Sequence, residues 1–165
     1  MADVLNTLNE KLKTKFGSDI LSAEQLFDFP VFTVKKEKIL EIIKTLKEEE
    51  GFNFLTDLTG THYPDNKGQE LGVIYHLHDM PGNRRIRLKT YASLADPKVL
   101  SLTGLFPGAN WMERETFDFY GVLFTGHPNL KRILNMDEMN YFPMRREYPM
   151  EDAKRDDKDN SMFGR

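Results

Sequence analysis

Apolar residues recur along this chain first with a helical period and then with a strand period. Val4, Leu5, Leu8, Leu12 and Phe16 fall on one face of an amphipathic helix, and Gly17 stands where such a helix would stop. Residues 19–34, DILSAEQLFDFPVFTV, are rich in apolar and β-branched positions and are broken by Pro30. They predict a strand pair, or an edge strand with a break. Residues 35–50 return to the helical period: Ile39, Ile42, Ile43 and Leu46 make one face, Lys and Glu cover the rest, and Gly51 takes the C-cap position. The charge run Lys47-Glu48-Glu49-Glu50 reads as a solvated surface.

From residue 52 the period shortens to two. Residues 52–58 alternate as a strand with Phe52, Phe54 and Thr56 on one side. Residues 60–68 contain Tyr63-Pro64-Asp65-Asn66 and predict a loop. Residues 71–78 and 85–91 are two strands joined through Asp79-Met80-Pro81-Gly82-Asn83, hence a hairpin. A turn at 93–97 leads to 98–105, a short helix or an extended link. Residues 110–120 form a helix, with Pro107 near its start, where the missing N–H costs nothing. Consecutive strands with short turns imply mostly antiparallel pairing under helices. The expected class is α+β: a two-layer sandwich of a mixed, mostly antiparallel sheet with helices on one face, plus an extended C-terminal arm. The chain divides into an α+β domain at 1–106, a helix and interface arm at 107–150, and a charged tail at 151–165, EDAKRDDKDNSMFGR. That tail holds too little apolar surface to fold alone and is expected to be disordered when free.

Composition removes several functions. The net charge of −3 gives no electrostatic basis for nucleic-acid binding. Without cysteine the chain cannot form disulfides, bind zinc through thiolates or ligate an iron–sulfur cluster through cysteine, although a partner could. The first residues carry charges every few positions and do not make an export signal, and no window reaches the apolar length of a membrane span. There is no glycine-rich phosphate loop and no hydrolase-type nucleophile motif.

What chemistry remains is concentrated in residues 111–149. Glu115 and Asp118 lie three apart on the expected helix and share a face; with His127 they could be imagined as a metal or acid–base site. Dimetal carboxylate bundles need Glu-x-x-His pairs from several helices, and none is present. The plainer reading is that Glu113, Arg114, Glu115 and Asp118 make ion pairs and hydrogen bonds with Lys131, Arg132, Arg145 and Arg146. His127, in Gly126-His127-Pro128, reads by default as a turn histidine that fixes local backbone. His76 and His78 share a strand face, with His62 as the nearest third ligand by sequence; ordinary polar strand positions are the stronger reading. Trp111 reads as a buried helix position, with an interface anchor as the alternative. Residues 135–150 gather Met136, Met139, Tyr141, Phe142, Met144, Tyr148 and Met150 around two prolines without any period. Met, aromatic and Arg residues on an irregular segment mark a protein-interaction surface.

The run Glu113-Arg114-Glu115, Asp118-Phe119-Tyr120-Gly121, Gly126-His127-Pro128 and Lys131-Arg132-Ile133-Leu134 resembles the signature of the 30-kDa subunit family of respiratory complex I, the C subunit of bacterial NADH-quinone oxidoreductase. Asn53 through Leu58, Tyr63-Pro64, Val73 through Leu77, Arg85 through Lys89 and Pro107 through Trp111 resemble the family in the same order. So does Pro143-Met144-Arg145-Arg146-Glu147-Tyr148-Pro149 at the end. The resemblance covers about 52–149 and departs at 135–142, where many members have a proline-, acid- and tryptophan-rich loop. It implies a non-catalytic peripheral-arm subunit of a proton-pumping NADH:quinone oxidoreductase, without cofactor of its own. FMN and iron–sulfur clusters would sit in partner subunits, and NADH and quinone would act there. It also implies a place beside the 49-kDa-type subunit, the D subunit of bacterial complexes, on the cytoplasmic side of the bacterial inner membrane. Membrane association would then come only through the complex. Related subunits occur in membrane-bound hydrogenase-type complexes. A free-standing hydrolase or metalloenzyme built on Glu115, Asp118 and His127 is the reading from another class.

Overall fold

The computed structural model describes residues 2–27 and 29–148, so the tail at 151–165 lies outside the described residues. Helix α1 (Ala2–Phe16) stops at Gly17, whose φ of +53° a side chain would resist, and a single 3-10 turn (Gly17–Asp19) leads into the sheet. Strands β1 (Ile20–Leu26) and β2 (Phe29–Val34) are the expected pair, antiparallel, with Pro30 opposite Gln25. Helix α2 (Ile39–Glu48) buries Ile39, Ile42, Ile43 and Leu46 completely, as its period requires. It starts four residues later than the sequence pattern suggests, because residues 35–38 close a turn in which the Lys38 N–H donates to the Lys35 carbonyl at 3.1 Å.

Strands β3 (Phe54–His62), β4 (Leu71–Asp79) and β5 (Arg84–Ala92) follow, and the sheet order is β1-β2-β5-β4-β3. Every neighbouring pair is antiparallel except β2 with β5, so the sheet is mixed but mostly antiparallel. The β4–β5 hairpin closes as its turn residues predict. The Asp79 carboxylate accepts from the Gly82 N–H at 3.0 Å and from Arg84 at 2.7 Å, and Asn83 takes φ +47°.

Strand β3 differs from its expected form. Phe52 precedes the strand and is buried, while Phe54 is 50% exposed. A bulge between Leu55 and Asp57 shifts the alternation, so that Leu55, Leu58, Gly60 and His62 turn to the core. Gly60 to His62, expected in a loop, belong to the strand. The glycine there is a packing requirement: a Cβ at Gly60 would stand 2.5 Å from the Tyr120 ring.

Across the sheet, Leu58, Tyr75, Leu88 and Phe32 form one register row and are all buried. The row behind it, Asp57, His76, Arg87 and Val31, is mostly polar. The apolar row joins Leu8 and Leu12 of α1 and the buried face of α2 in one core. That core continues past residue 106. Ala109 of helix α3 (Ala109–Tyr120), together with Val122 and Phe124, belongs to the same cluster. Residues 98–105 begin as a short strand, β6 (Lys98–Leu100), and strand β7 (Leu123–Thr125) runs parallel beside it. This two-stranded sheet fastens both ends of α3 to the domain, a pairing between segments too short to show a period.

Replacing Gly60 by Ala should cost about 1–3 kcal/mol, since the Tyr120 ring must move to admit the methyl group. Urea denaturation of the purified chain measures this, and unchanged stability would contradict the close approach.

Candidate functional site

Helix α3 places its charged residues in different surroundings, and each meets a different partner. Glu113 is fully buried. Its carboxyl accepts from the Leu102 N–H at 2.6 Å and from the Ser101 hydroxyl at 2.7 Å. Burial pushes its pKa up to about 7 against the opposing pull of these two donors. Tyr75, near this carboxyl, is raised well above the ordinary phenol value by burial and by Glu113. Further along the helix, Glu115 is exposed, and among the described residues it has no ion-pair partner.

Asp118 is buried and organises everything that follows it. Its Oδ1 receives Arg132 Nη1 at 2.7 Å, with the Arg132 side chain only 8% exposed. Its Oδ2 accepts three successive backbone N–H groups, from Ile133 at 3.1 Å, Leu134 at 2.8 Å and Asn135 at 2.9 Å. Burial works against the charge, but the Asn135 and Leu134 N–H groups and the Arg132 guanidinium outweigh it, holding the carboxyl well below its ordinary range. A carboxylate whose pKa is depressed by folding contributes stability above its unfolded value, and that contribution is lost as pH falls below about 4.

Arg132 spends its other donors on the arm. Nη2 donates to the carbonyls of Met139 at 2.7 Å and Tyr141 at 2.9 Å, while Nη1 also reaches the Asp118 carbonyl at 2.9 Å. Arg114 donates to the Lys131 and Arg132 carbonyls at 3.1 and 2.8 Å. Arg145 Nε caps the Tyr120 carbonyl at 2.8 Å. The guanidiniums of Arg132 (5.2 Å) and Arg145 (4.5 Å) both approach the Phe142 ring, which meets Phe117 edge-on at 6.1 Å. Gly121 ends the helix at φ +76°, and a Cβ there would stand 2.6 Å from both Arg145 and Phe142. Glycine is therefore needed twice, for the left-handed cap and for the approach of the arm.

His127 fixes the turn between helix and arm. Its Nδ1 accepts the Asn129 N–H at 3.0 Å, so Nε2 carries the proton that reaches the Asn110 carbonyl at 3.1 Å. Both nitrogens serve the backbone, and Glu115, Asp118 and His127 share no partner. The three strand histidines also stay apart. His62 faces the core opposite Leu71 and accepts the Arg146 N–H at 3.0 Å. His76, on the opposite face, meets Asp57 at 3.4 Å and Arg87 at 2.8 Å, and His78 approaches Asn83 at 3.4 Å. Among the described residues no group of three His, Asp or Glu could hold a metal ion. No described helix is long and apolar enough to cross a membrane.

The remaining members of the motif are nearer the surface. Lys131 and Arg146 are exposed, while Phe119 and Tyr120 are half-buried and line the side of α3 that meets β3. Trp111, expected on a buried helix face, is 57% exposed instead. Leu134, Met136, Tyr141, Met144 and Tyr148 are exposed along the arm. The buried helix positions went instead to Ala109, Glu113, Thr116 and Asp118. The sequence carried no sign that Ser101 and Leu102 would satisfy Glu113, or that two arginines would meet the Phe142 ring.

Buried polar side chains that hold neighbouring backbone and side chains thus lie under exposed Met, Trp and Tyr, the make-up of a protein-interaction surface. Residues 32–154 match the family described as respiratory-chain NADH dehydrogenase, 30 Kd subunit, and the chain belongs to that family. It is 39% identical over 146 residues to the NADH-quinone oxidoreductase C subunit of Citrifermentans bemidjiense, covering 88% of this chain and 90% of that one. With the corresponding Moorella thermoacetica subunit the identity is 42% over 131 residues, covering 79% and 87%. Among solved structures, the trypsin-resistant fragment of Nqo5 superimposes with a TM-score of 0.66 at 30% identity, covering 76% of this chain and 98% of the fragment. A chain of the archaeal membrane-bound sulfane sulfur reductase, a respiratory membrane complex, shares the fold with a TM-score of 0.73 at 22% identity, covering 88% and 85%.

Because folding raises the Glu113 pKa from 4.5 to about 7, its contribution to stability is complete below the unfolded value and is lost as pH rises through the folded one. Between about pH 5 and 8 this group should remove roughly 2–3 kcal/mol. Glu113→Gln should flatten that slope. Chemical denaturation at several pH values checks it, and an equally steep loss in the variant would show that another group is responsible.

Proposed function

We propose that this chain is a peripheral-arm subunit of a membrane-associated, proton-pumping NADH:quinone oxidoreductase, and that it supports assembly rather than carrying a redox step. The observation that carries the reading is the 109–148 unit, in which buried charge holds an irregular arm while Trp111, Leu134, Met136 and Met144 stay exposed. Family membership and the relatives named as NADH-quinone oxidoreductase subunits supply the complex, and they favour it over the hydrogenase-type alternative. FMN and iron–sulfur clusters belong to neighbouring subunits in this reading, with NADH and quinone acting there. The larger 49-kDa-type subunit is the neighbour pressed against the arm, and the chain sits on the cytoplasmic side of the bacterial inner membrane through that contact.

Within this reading the motif residues have two roles. Glu113, Arg114, Asp118, Gly121, His127, Arg132 and Arg145 shape the arm from within, because their polar atoms or close contacts are already committed to it. Glu115, Phe119, Tyr120, Pro128, Lys131 and Arg146 complete the surface beside the exposed apolar side chains. An arm already held in its bound shape lowers the ordering cost of association.

A tagged chain purified from membranes should bring flavin- and iron–sulfur-containing subunits with it. Arg114→Ala, which releases the Lys131 and Arg132 carbonyls, should lower the amount of assembled complex several-fold and leave turnover per complex near that of the parent. Recovery of the chain alone, or normal complex levels with lost turnover, would contradict the proposal. Metal or hydrolytic activity in the isolated chain would point to the free-standing enzyme instead.

A further inference from the structure

A groove of about 220 Å³ lies between strand β3 and helix α3. Three consecutive residues of β3, Asp57, Leu58 and Thr59, line it. Side chains alternate across a strand, so a wall made of consecutive residues is the strand's edge. Among the described residues that edge is free, because β3 ends the sheet and pairs only with β4. Every second residue of an edge strand directs its backbone N–H and C=O outward. Met112 and Phe119 of α3 and Met144 of the arm form the opposite, apolar wall.

Two carboxylates stand on this groove. Asp57 is half exposed and has a histidine, His76, at 3.4 Å. Glu115 is exposed and, among the described residues, pairs with no cation, although arginines are plentiful on the same helix and arm. Arg114, Arg132 and Arg145 are committed to backbone carbonyls, and Arg132 also to Asp118. The groove thus combines a strand edge that no described strand pairs, a methionine and aromatic wall, and two carboxylates, of which Glu115 has no cationic partner among the described residues. A lysine or arginine has the matching shape, with an aliphatic stem for the apolar wall and a cationic head for the carboxylates.

We propose that the groove between β3 and α3 receives an extended, lysine- or arginine-bearing segment of a neighbouring subunit, which pairs with the free edge of β3 and places its cation at Asp57 and Glu115. The inference rests on the chain being part of a complex, as proposed above, and adds the chemistry of the partner segment. Such strand addition draws affinity from main-chain hydrogen bonds and specificity from the flanking pockets.

The chain lacks cysteine, so a single cysteine introduced by Met112→Cys can be labelled with a benzophenone-type photo-crosslinker on the purified, tagged chain before it is assembled into the complex. The expected product joins this site to a stretch of another subunit that contains Lys or Arg. In a second arm, Asp57→Asn with Glu115→Gln should weaken retention of the chain in salt-washed complex by about tenfold or more, with the melting temperature of the isolated chain nearly unchanged. A crosslink to residues 150–165 of the same chain would overturn the proposal, because the groove would then have an internal occupant. Absence of any crosslink, a crosslink to an acidic or uncharged stretch, or full retention of the neutralised variant would also overturn it. Failure of the unsubstituted chain to copurify with redox subunits would instead reject membership of the complex, and this inference with it.

Discussion

The shape of the second half of this protein depends on one buried carboxylate. Asp118 is surrounded by five polar contacts from the residues just beyond its own helix: Arg132 twice, once through the Asp118 carbonyl, and the N–H groups of Ile133, Leu134 and Asn135. A buried charge is costly unless it is paired and hydrogen-bonded, and here both conditions are met by a segment with no secondary structure of its own. The arrangement is reciprocal. Removing the arm would strand Asp118, and removing Asp118 would strand Arg132 and three backbone donors. Arg132 passes the constraint on to the Met139 and Tyr141 carbonyls and to the Phe142 ring, which Arg145 also approaches.

That constraint matters because the arm cannot be held by periodic burial. Its large apolar residues do not fall on one face, and several remain exposed. A polar framework underneath lets methionine, tryptophan and tyrosine stay at the surface in a fixed arrangement, which is what an interface core uses. The framework in turn rests on the sheet. Gly60 admits the Tyr120 ring, and β6 with β7 pins both ends of α3, so the helix that carries Asp118 has a fixed position over β3. Glu113 reinforces the same joint by holding the Ser101–Leu102 turn, and its burial there favours the protonated form.

Much of this architecture could be read from hydrophobic spacing. The period of α2 and the turn chemistry at 79–83 marked their elements clearly, and the mixed, mostly antiparallel sheet under helices followed from their order. Spacing failed where tertiary contacts set the outcome. Phe52 and Phe54, expected on one side, are buried and exposed respectively because Phe52 precedes β3, and Gly60 read as a loop because its reason, the Tyr120 ring, lies far along the chain. Strands β6 and β7 are three residues each, too short for any period to show. At the site, the charged helix residues and their arginine partners were legible as a group. Their division into Glu113 held by a neutral turn, Asp118 paired with Arg132 and Glu115 left open was not, because it depends on where the helix lands. Trp111 on the outer face is the same lesson: an apolar side chain is exposed where buried carboxylates occupy the inner positions.

The most direct test of this account is amide hydrogen exchange of the full chain carrying Asp118→Ala. Ile133, Leu134 and Asn135 donate to a single carboxylate oxygen of that residue. Their protection should fall by on the order of a hundredfold, together with faster exchange across 139–145, while the amides of β4 and β5 keep theirs. Unchanged protection at 133–135 would contradict a carboxylate-held arm, and a uniform loss through β4 and β5 would show that Asp118 holds the core rather than the arm.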